Sequence, residues 1–232
     1  MSSIFITGSS NGLGLGLTRY YLQRNAKVFS LSRSGCPLQH ESLQHSCHDL
    51  ADLDGIAIAL QALLPKNLDL VILNAGVLGD MADLADTSMT QIQQVMDINL
   101  WANKIIVDYL IKQQIKVRQL IMVSSGASVN GNRGWGAYSI SKAALNMMAK
   151  LYAHEMPDTH ITAYAPGIIH TRMQDYLCQD VDSEKFPSIK GLIDAYQTPD
   201  MPDIDTAAAR IAQSFAQCLN HPSGSFLDIR AL

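Results

Sequence analysis

Short, almost wholly apolar runs alternate with longer stretches rich in helix-forming residues along this chain of 232 residues. SIFIT at 3–7, KVFSL at 27–31, LDLVIL at 68–73, VRQLIMVS at 117–124 and HITAY at 160–164 are β-type runs, several of them nearly free of charge. Strands buried on both faces read this way. Between them lie LGLTRYYLQRN at 15–25, a segment from about Asp52 to Leu64 stopped by Pro65, and a long helical region from about Thr87 to Gln114. AYSISKAALNMMAKLYAHEM and a segment from about Asp205 to Leu219 follow. These compositions predict helices. A short strand is expected before Asp49, and SGSFLDIR near the C-terminus supplies a last one. Strand and helix taking turns is the pattern of a parallel sheet. The expected fold is α/β, a single doubly wound parallel sheet of about seven strands with helices on both faces (Rossmann-type), spanning 1–232 as one domain. No repeats, linkers or low-complexity tracts interrupt it.

Composition narrows the function classes. Hydrophobic residues at 47% and charged residues at 16% predict a well-filled core. A net charge of −4 with no basic stripe disfavours nucleic acid as a partner. The N-terminal MSSIFITG resembles no signal peptide, and no run of eighteen apolar residues occurs, so no membrane segment is expected. Cys36, Cys47, Cys178 and Cys218 form no C-x-x-C pair, which fits the reduced thiols of a cytoplasmic protein. Cys36, His40, His45, Cys47 and His48 crowd one stretch, but their spacings match no common zinc pattern and no metal is expected.

The first strand ends in a glycine turn, Gly8-Ser9-Ser10-Asn11-Gly12-Leu13-Gly14, and a helix and a second strand follow. That is the start of a βαβ unit, whose glycines let backbone approach a pyrophosphate at the helix N-terminus. The spacing is G-x-x-x-G-x-G rather than G-x-G-x-x-G. The second strand leads into Ser32-Arg33, and no acid occurs between Gly14 and His40. An acid there would take the ribose hydroxyl of NAD, whereas an arginine accepts the 2′-phosphate of NADP. The preference read is NADP(H) over NAD(H). Asp49-Leu50 is expected beside the adenine, and Asn74-Ala75-Gly76 closes the central strand.

Tyr138 and Lys142 are four apart, hence on one face of a helix. A phenol that titrates near ~10 is a poor acid or base at neutral pH, and a neighbouring ammonium is expected to lower it; the change needs roughly 3–4 kcal/mol. Ser125, at the end of an apolar run, offers a hydroxyl to a substrate oxygen on which charge develops. The trio suits carbonyl reduction or alcohol oxidation. The segment from Ile168 to about Asp203 mixes apolar residues with acids and prolines; it reads either as a substrate lid or as a packed crossover.

Taken together, these motifs resemble the short-chain dehydrogenase/reductase family over nearly the whole chain. TGSSNGLG at 7–14 is similar to its cofactor turn, LNAG at 73–76 to its N-A-G, and PGIIHT at 166–171 to its nicotinamide-side segment; Asn99, Ser125, Tyr138 and Lys142 match its tetrad. The resemblance implies that Tyr138 exchanges the proton with the substrate oxygen, Ser125 orients that oxygen, Lys142 holds the nicotinamide ribose, and Asn99 supports a water leading to Lys142. It further implies coenzyme contacts at Ile169 and Thr171. Two departures stand out: Leu73 replaces a common asparagine, and Asn11 replaces a basic residue frequent in NADP-preferring members. SSGAS…GWGAY is similar to benzil-reductase and sepiapterin-reductase-like members, which points to diketones or other bulky carbonyls. The family also implies a homodimer or homotetramer. A catalytically silent, NADP(H)-binding regulator stays open as the alternative.

Overall fold

The computed structural model describes residues 1–232. The chain runs β1 (Ser3–Thr7), α1 (Gly12–Leu22), β2 (Lys27–Ser32), β3 (Leu43–Cys47), α2 (Ile56–Leu63), β4 (Asn67–Leu73), α3 (Met89–Met96), α4 (Ala102–Lys112) and β5 (Lys116–Val123). A one-turn α5 (Ala127–Asn130), α6 (Gly136–Glu155), β6 (His160–Ala165), α7 (Arg172–Gln179), α8 (Lys190–Ala195), α9 (Ile204–Cys218) and β7 (Ser225–Asp228) complete it. All seven strands are parallel and lie in one sheet, in the order β3-β2-β1-β4-β5-β6-β7.

Side chains alternate across a strand, so each strand feeds two cores. Phe5, Val71, Leu73, Leu120 and Met122 join α2, α4 and α6 on one face. Ile4, Ile6, Leu70, Ile72 and Ile121 join α1 and α9 on the other. Both faces are covered, which is why the strands read as unbroken apolar runs. The order reverses between β1 and β4, and in such sheets the crevice outside the carboxyl ends at that point takes the ligand. Thr7 and Leu73 end their strands there.

Two local differences from expectation have physical causes. The region after Thr87 is not one α-helix: α3 and α4 are joined by a π-helical turn at Asp97–Trp101 that contains Asn99. Helix α2 starts at Ile56 rather than near Asp52, because Asp49 Oδ1 and Asp52 Oδ1 accept from the Ala51 and Gly55 amides and hold the chain in a turn. The segment 168–203 folds into α7, a 3₁₀ turn at Pro187–Ile189 and α8, with Leu177 and Ile189 packed on Leu78 and Tyr138.

Candidate active site

The glycine turn is tighter than side chains permit. Gly8 has φ +75°, and a β-carbon on Gly14 would stand 2.2 Å from the Gly8 carbonyl oxygen. At the start of α1, Asn11 makes no side-chain capping bond and the first turn holds no acid. Its leading amides are therefore left to an anion. Thr7 joins the turn to β4: its Oγ1 accepts from the Asn74 and Ala75 amides at 3.0 and 3.1 Å, while Asn74 Nδ2 donates to the Thr7 carbonyl at 3.1 Å. The sequence marks Asn74, Ala75 and Gly76 but gives Thr7 no separate role. A lone hydroxyl closing an apolar strand before a glycine turn was the available signal.

A cavity of about 750 Å³ lies over these strand ends. Its wall includes Gly8, Ser10, Asn11, Gly12 and Leu13 of the turn; Ser32, Arg33, Asp49 and Leu50 beyond β2 and β3; and Asn74, Ala75 and Gly76 after β4. Ser125, Tyr138, Lys142, Ile169 and Thr171 line the same space. Arg33 is exposed and has no carboxylate partner. An uncapped helix start, a cradle that only glycine fits and a free guanidinium on one cavity wall suit a nicotinamide dinucleotide. Two of the residues expected here do not reach the wall. Gly14 lies behind the turn, and Asn99 is fully buried in its π turn. Asn99 Oδ1 accepts from the Val77 amide at 2.8 Å, and its Nδ2 donates to the Val77 carbonyl and to Ser141 Oγ at 2.8 and 3.0 Å. Asn99 Oδ1 and Lys142 Nζ nonetheless close on one point, 3.2 and 3.3 Å from where a Gly76 β-carbon would stand.

Tyr138 and Lys142 sit one turn apart on α6, Lys142 Nζ 5.7 Å from the Tyr138 ring centre. The ammonium donates to the Val123 carbonyl at 2.7 Å and is only 3% exposed; burial pushes its pKa down to about 8. Burial also pushes the Tyr138 phenol above its ordinary value, with the Ser125 side chain pulling it back in part. The sequence led to the opposite expectation, that Lys142 would bring the phenol down. The reason for the difference is desolvation: a cation taken out of water and turned toward a carbonyl offsets little of the burial cost of a phenolate. Tyr138 is thus protonated at neutral pH, the state that donates to an oxygen. Ser125 Oγ accepts from the Ala127 amide at 3.2 Å, which leaves its own proton to give. The pair can hold one oxygen while protonating it.

A further part of the cavity wall flanks the Ser125–Tyr138 pair. Trp135, whose Nε1 donates to Ser188 Oγ at 2.9 Å, lies there with Leu177 and Leu192. Asp228 and Arg230, joined by two bonds of 2.8 and 2.5 Å, also line the cavity. Trp135 belongs to the GWGAY phrase and Leu177 and Leu192 to the segment read as a lid or a crossover, whereas no periodicity or motif marks Asp228 and Arg230. No helix is long and apolar enough to cross a membrane. His45 Nδ1 and Nε2 face Ser30 Oγ and Cys47 Sγ, and no group of three or more metal-binding side chains gathers.

A doubly wound parallel sheet, a glycine cradle at its switch point and a buried Tyr–Lys pair beside it define a nicotinamide-dependent α/β oxidoreductase. The short chain dehydrogenase family model matches residues 2–182, and the chain belongs to that family, whose members act on alcohol and carbonyl groups. An uncharacterized oxidoreductase of Schizosaccharomyces pombe, C30D10.05c, is 36% identical over 189 residues, covering 78% of this chain and 76% of its own. Benzil reductase ((S)-benzoin forming) IRC24 of Saccharomyces cerevisiae is 28% identical over 232 residues, covering 90% and 88%. The solved structure of YIR035C, a short chain dehydrogenase/reductase from Saccharomyces cerevisiae, has the same fold, with a TM-score of 0.85 at 23% identity over 99% of this chain and 96% of that one.

Proposed function

We propose that this protein is an NADP(H)-dependent carbonyl reductase acting on diketones and other bulky carbonyls. One observation carries the reading: a buried Tyr138 stands with Ser125 in the same cavity that an unpaired Arg33 lines from another wall. The bound nicotinamide supplies the hydride that reaches the carbonyl carbon. Tyr138 gives its proton to the carbonyl oxygen, and Ser125 donates a hydrogen bond to that oxygen as charge gathers on it. Lys142 would hold the nicotinamide ribose. Asn99 fixes the backbone at Val77 and the helix at Ser141, framing the space before Gly76 through which a water would pass a proton to Lys142. Diketones are favoured by the likeness to a benzil reductase and by the apolar wall of Trp135, Leu177 and Leu192. The four free cysteines accord with a cytoplasmic setting. Ile140, Met147 and Leu151, exposed by 43, 55 and 57% on α6, offer the contact for a homodimer or homotetramer.

Arg33 tests the coenzyme assignment. Charge-assisted hydrogen bonds to a phosphate contribute about 1.5–3 kcal/mol. Arg33→Ala is expected to raise the KM for NADPH roughly 10–100-fold, by that arithmetic, and to change the KM for NADH less than about twofold. Equal effects on both coenzymes in steady-state kinetics would remove Arg33 from the 2′-phosphate site.

A further inference from the structure

The face of α6 that carries Tyr138 and Lys142 continues one turn further to Asn146, because residues four apart stack on one side of a helix. From that face the helix holds Val123 at the end of β5, Ser124 after it and, through Ser128, Ser125. Lys142 Nζ donates to the Val123 carbonyl at 2.7 Å. Ser124 Oγ donates to Asn146 Oδ1 at 2.6 Å. Asn146 Nδ2 donates to Ser128 Oγ at 2.8 Å, and Ser128 Oγ passes its own proton to the Ser125 carbonyl at 2.6 Å. The Ser128 amide reaches the same carbonyl at 3.0 Å. The chain of donors has one polarity throughout, since each hydroxyl has a single proton to give. Ser124 is 2% exposed and Asn146 and Ser128 are half-buried, so these bonds are sheltered from competing water.

We propose that Asn146 is a positioning residue. It pins the loop from Ser124 to Ser128, and so sets the Ser125 hydroxyl at the height of the Tyr138 hydroxyl borne by the same helix. The inference rests on the role given to Ser125 in the proposed reaction. Alignment of this kind matters because a displacement of about 1 Å at reacting groups lowers rate by as much as ~100-fold.

Asn146→Asp is the sharpest variant. It keeps an oxygen for Ser124 but has no N–H for Ser128, whose proton then turns to the carboxylate and leaves the Ser125 carbonyl. Ser128→Ala, on the one-turn α5, removes the last link and carries the same test if the aspartate variant does not fold. With benzil as probe, each is expected to lower kcat about 10–100-fold while the NADPH Kd, read by fluorescence, stays within about twofold. Combined with Ser125→Ala, neither is expected to lower the single-turnover rate further, because residues acting through one group do not add. Wild-type turnover in both variants, losses that multiply in the double variants, or NADPH affinity falling in step with kcat would overturn the inference. A fully active Ser125→Ala would overturn the reading of Ser125 and this inference together. A crippled Ser125→Ala beside fully active Asn146→Asp and Ser128→Ala would overturn this inference alone.

Discussion

Replacing Tyr138 with phenylalanine is expected to lower kcat for diketone reduction about a thousandfold, while the NADPH Kd stays within about twofold. General acid catalysis by a positioned side chain contributes about 10²–10⁴ in rate, and in the proposed reaction Tyr138 is the group that protonates the carbonyl oxygen. The phenylalanine ring fits the space of the tyrosine. That space is 9% exposed, packed by Leu78 and Leu177, with the Trp135 ring centre 6.1 Å away. Loss of fold is therefore not the expected cause of lost turnover. The pH behaviour follows from the raised phenol. The donating form persists to a pH above the ordinary tyrosine value, so reduction by the wild type should hold across neutral and mildly alkaline pH, whereas alcohol oxidation, which needs the phenolate, should climb with pH. Stopped-flow rates and coenzyme titrations on both proteins check this, and retention of more than about a tenth of wild-type turnover would remove Tyr138 as the proton donor.

Replacing Lys142 with methionine is expected to do two opposite things, to lower turnover about 100-fold or more and to make the protein more stable at pH 7. The folded-state pKa of Lys142 lies at about 8, below the ordinary lysine value, because a charge there has lost its water. Below pH ~8 the lysine is charged in both states and the full cost of burying it is present. As pH rises from about 8 toward the unfolded value near 10.5, the unfolded chain binds the extra proton and stability increases. The cost at neutral pH is about 3 kcal/mol on this shift, less about 1 kcal/mol for the bond to Val123 that methionine cannot make. Thermal unfolding should show the variant melting about 3–8 °C higher at pH 7, with the gap closing near pH 10. A variant that melts lower at pH 7, by an amount independent of pH, would contradict the burial argument. In the proposed reaction, function keeps a group that folding alone would discard.

The strands, their parallel order and the glycine turn were legible because burial on two faces and a backbone closer than a β-carbon allows both dictate residue type. Tyr138 and Lys142 were legible because helical periodicity places them on one face. The π turn around Asn99 was not, since DINLW has no composition that separates a five-residue turn from an α-helical one; the extra residue is set by what the Asn99 amide must reach at Val77 and Ser141. Helices α7 and α8 are short and were hidden among prolines and acids; they form where Leu177 and Ile189 meet Tyr138, a contact between distant parts of the chain. Thr7, Asp228 and Arg230 share that reason, because their partners or their cavity exist only once the sheet is assembled. The direction of the Tyr138 shift is not legible in the sequence, because spacing reports the neighbouring charge and says nothing of desolvation.

Hydride transfer from NADPH to a diketone is tested most directly by the loss of absorbance at the reduced-nicotinamide band with benzil, set beside NADH and beside simple ketones. Consumption of NADPH with benzil, at a kcat/KM at least about tenfold above that with NADH, is the predicted result. Tight NADPH binding with no consumption against any dicarbonyl would contradict it and leave a coenzyme-binding protein that turns over nothing.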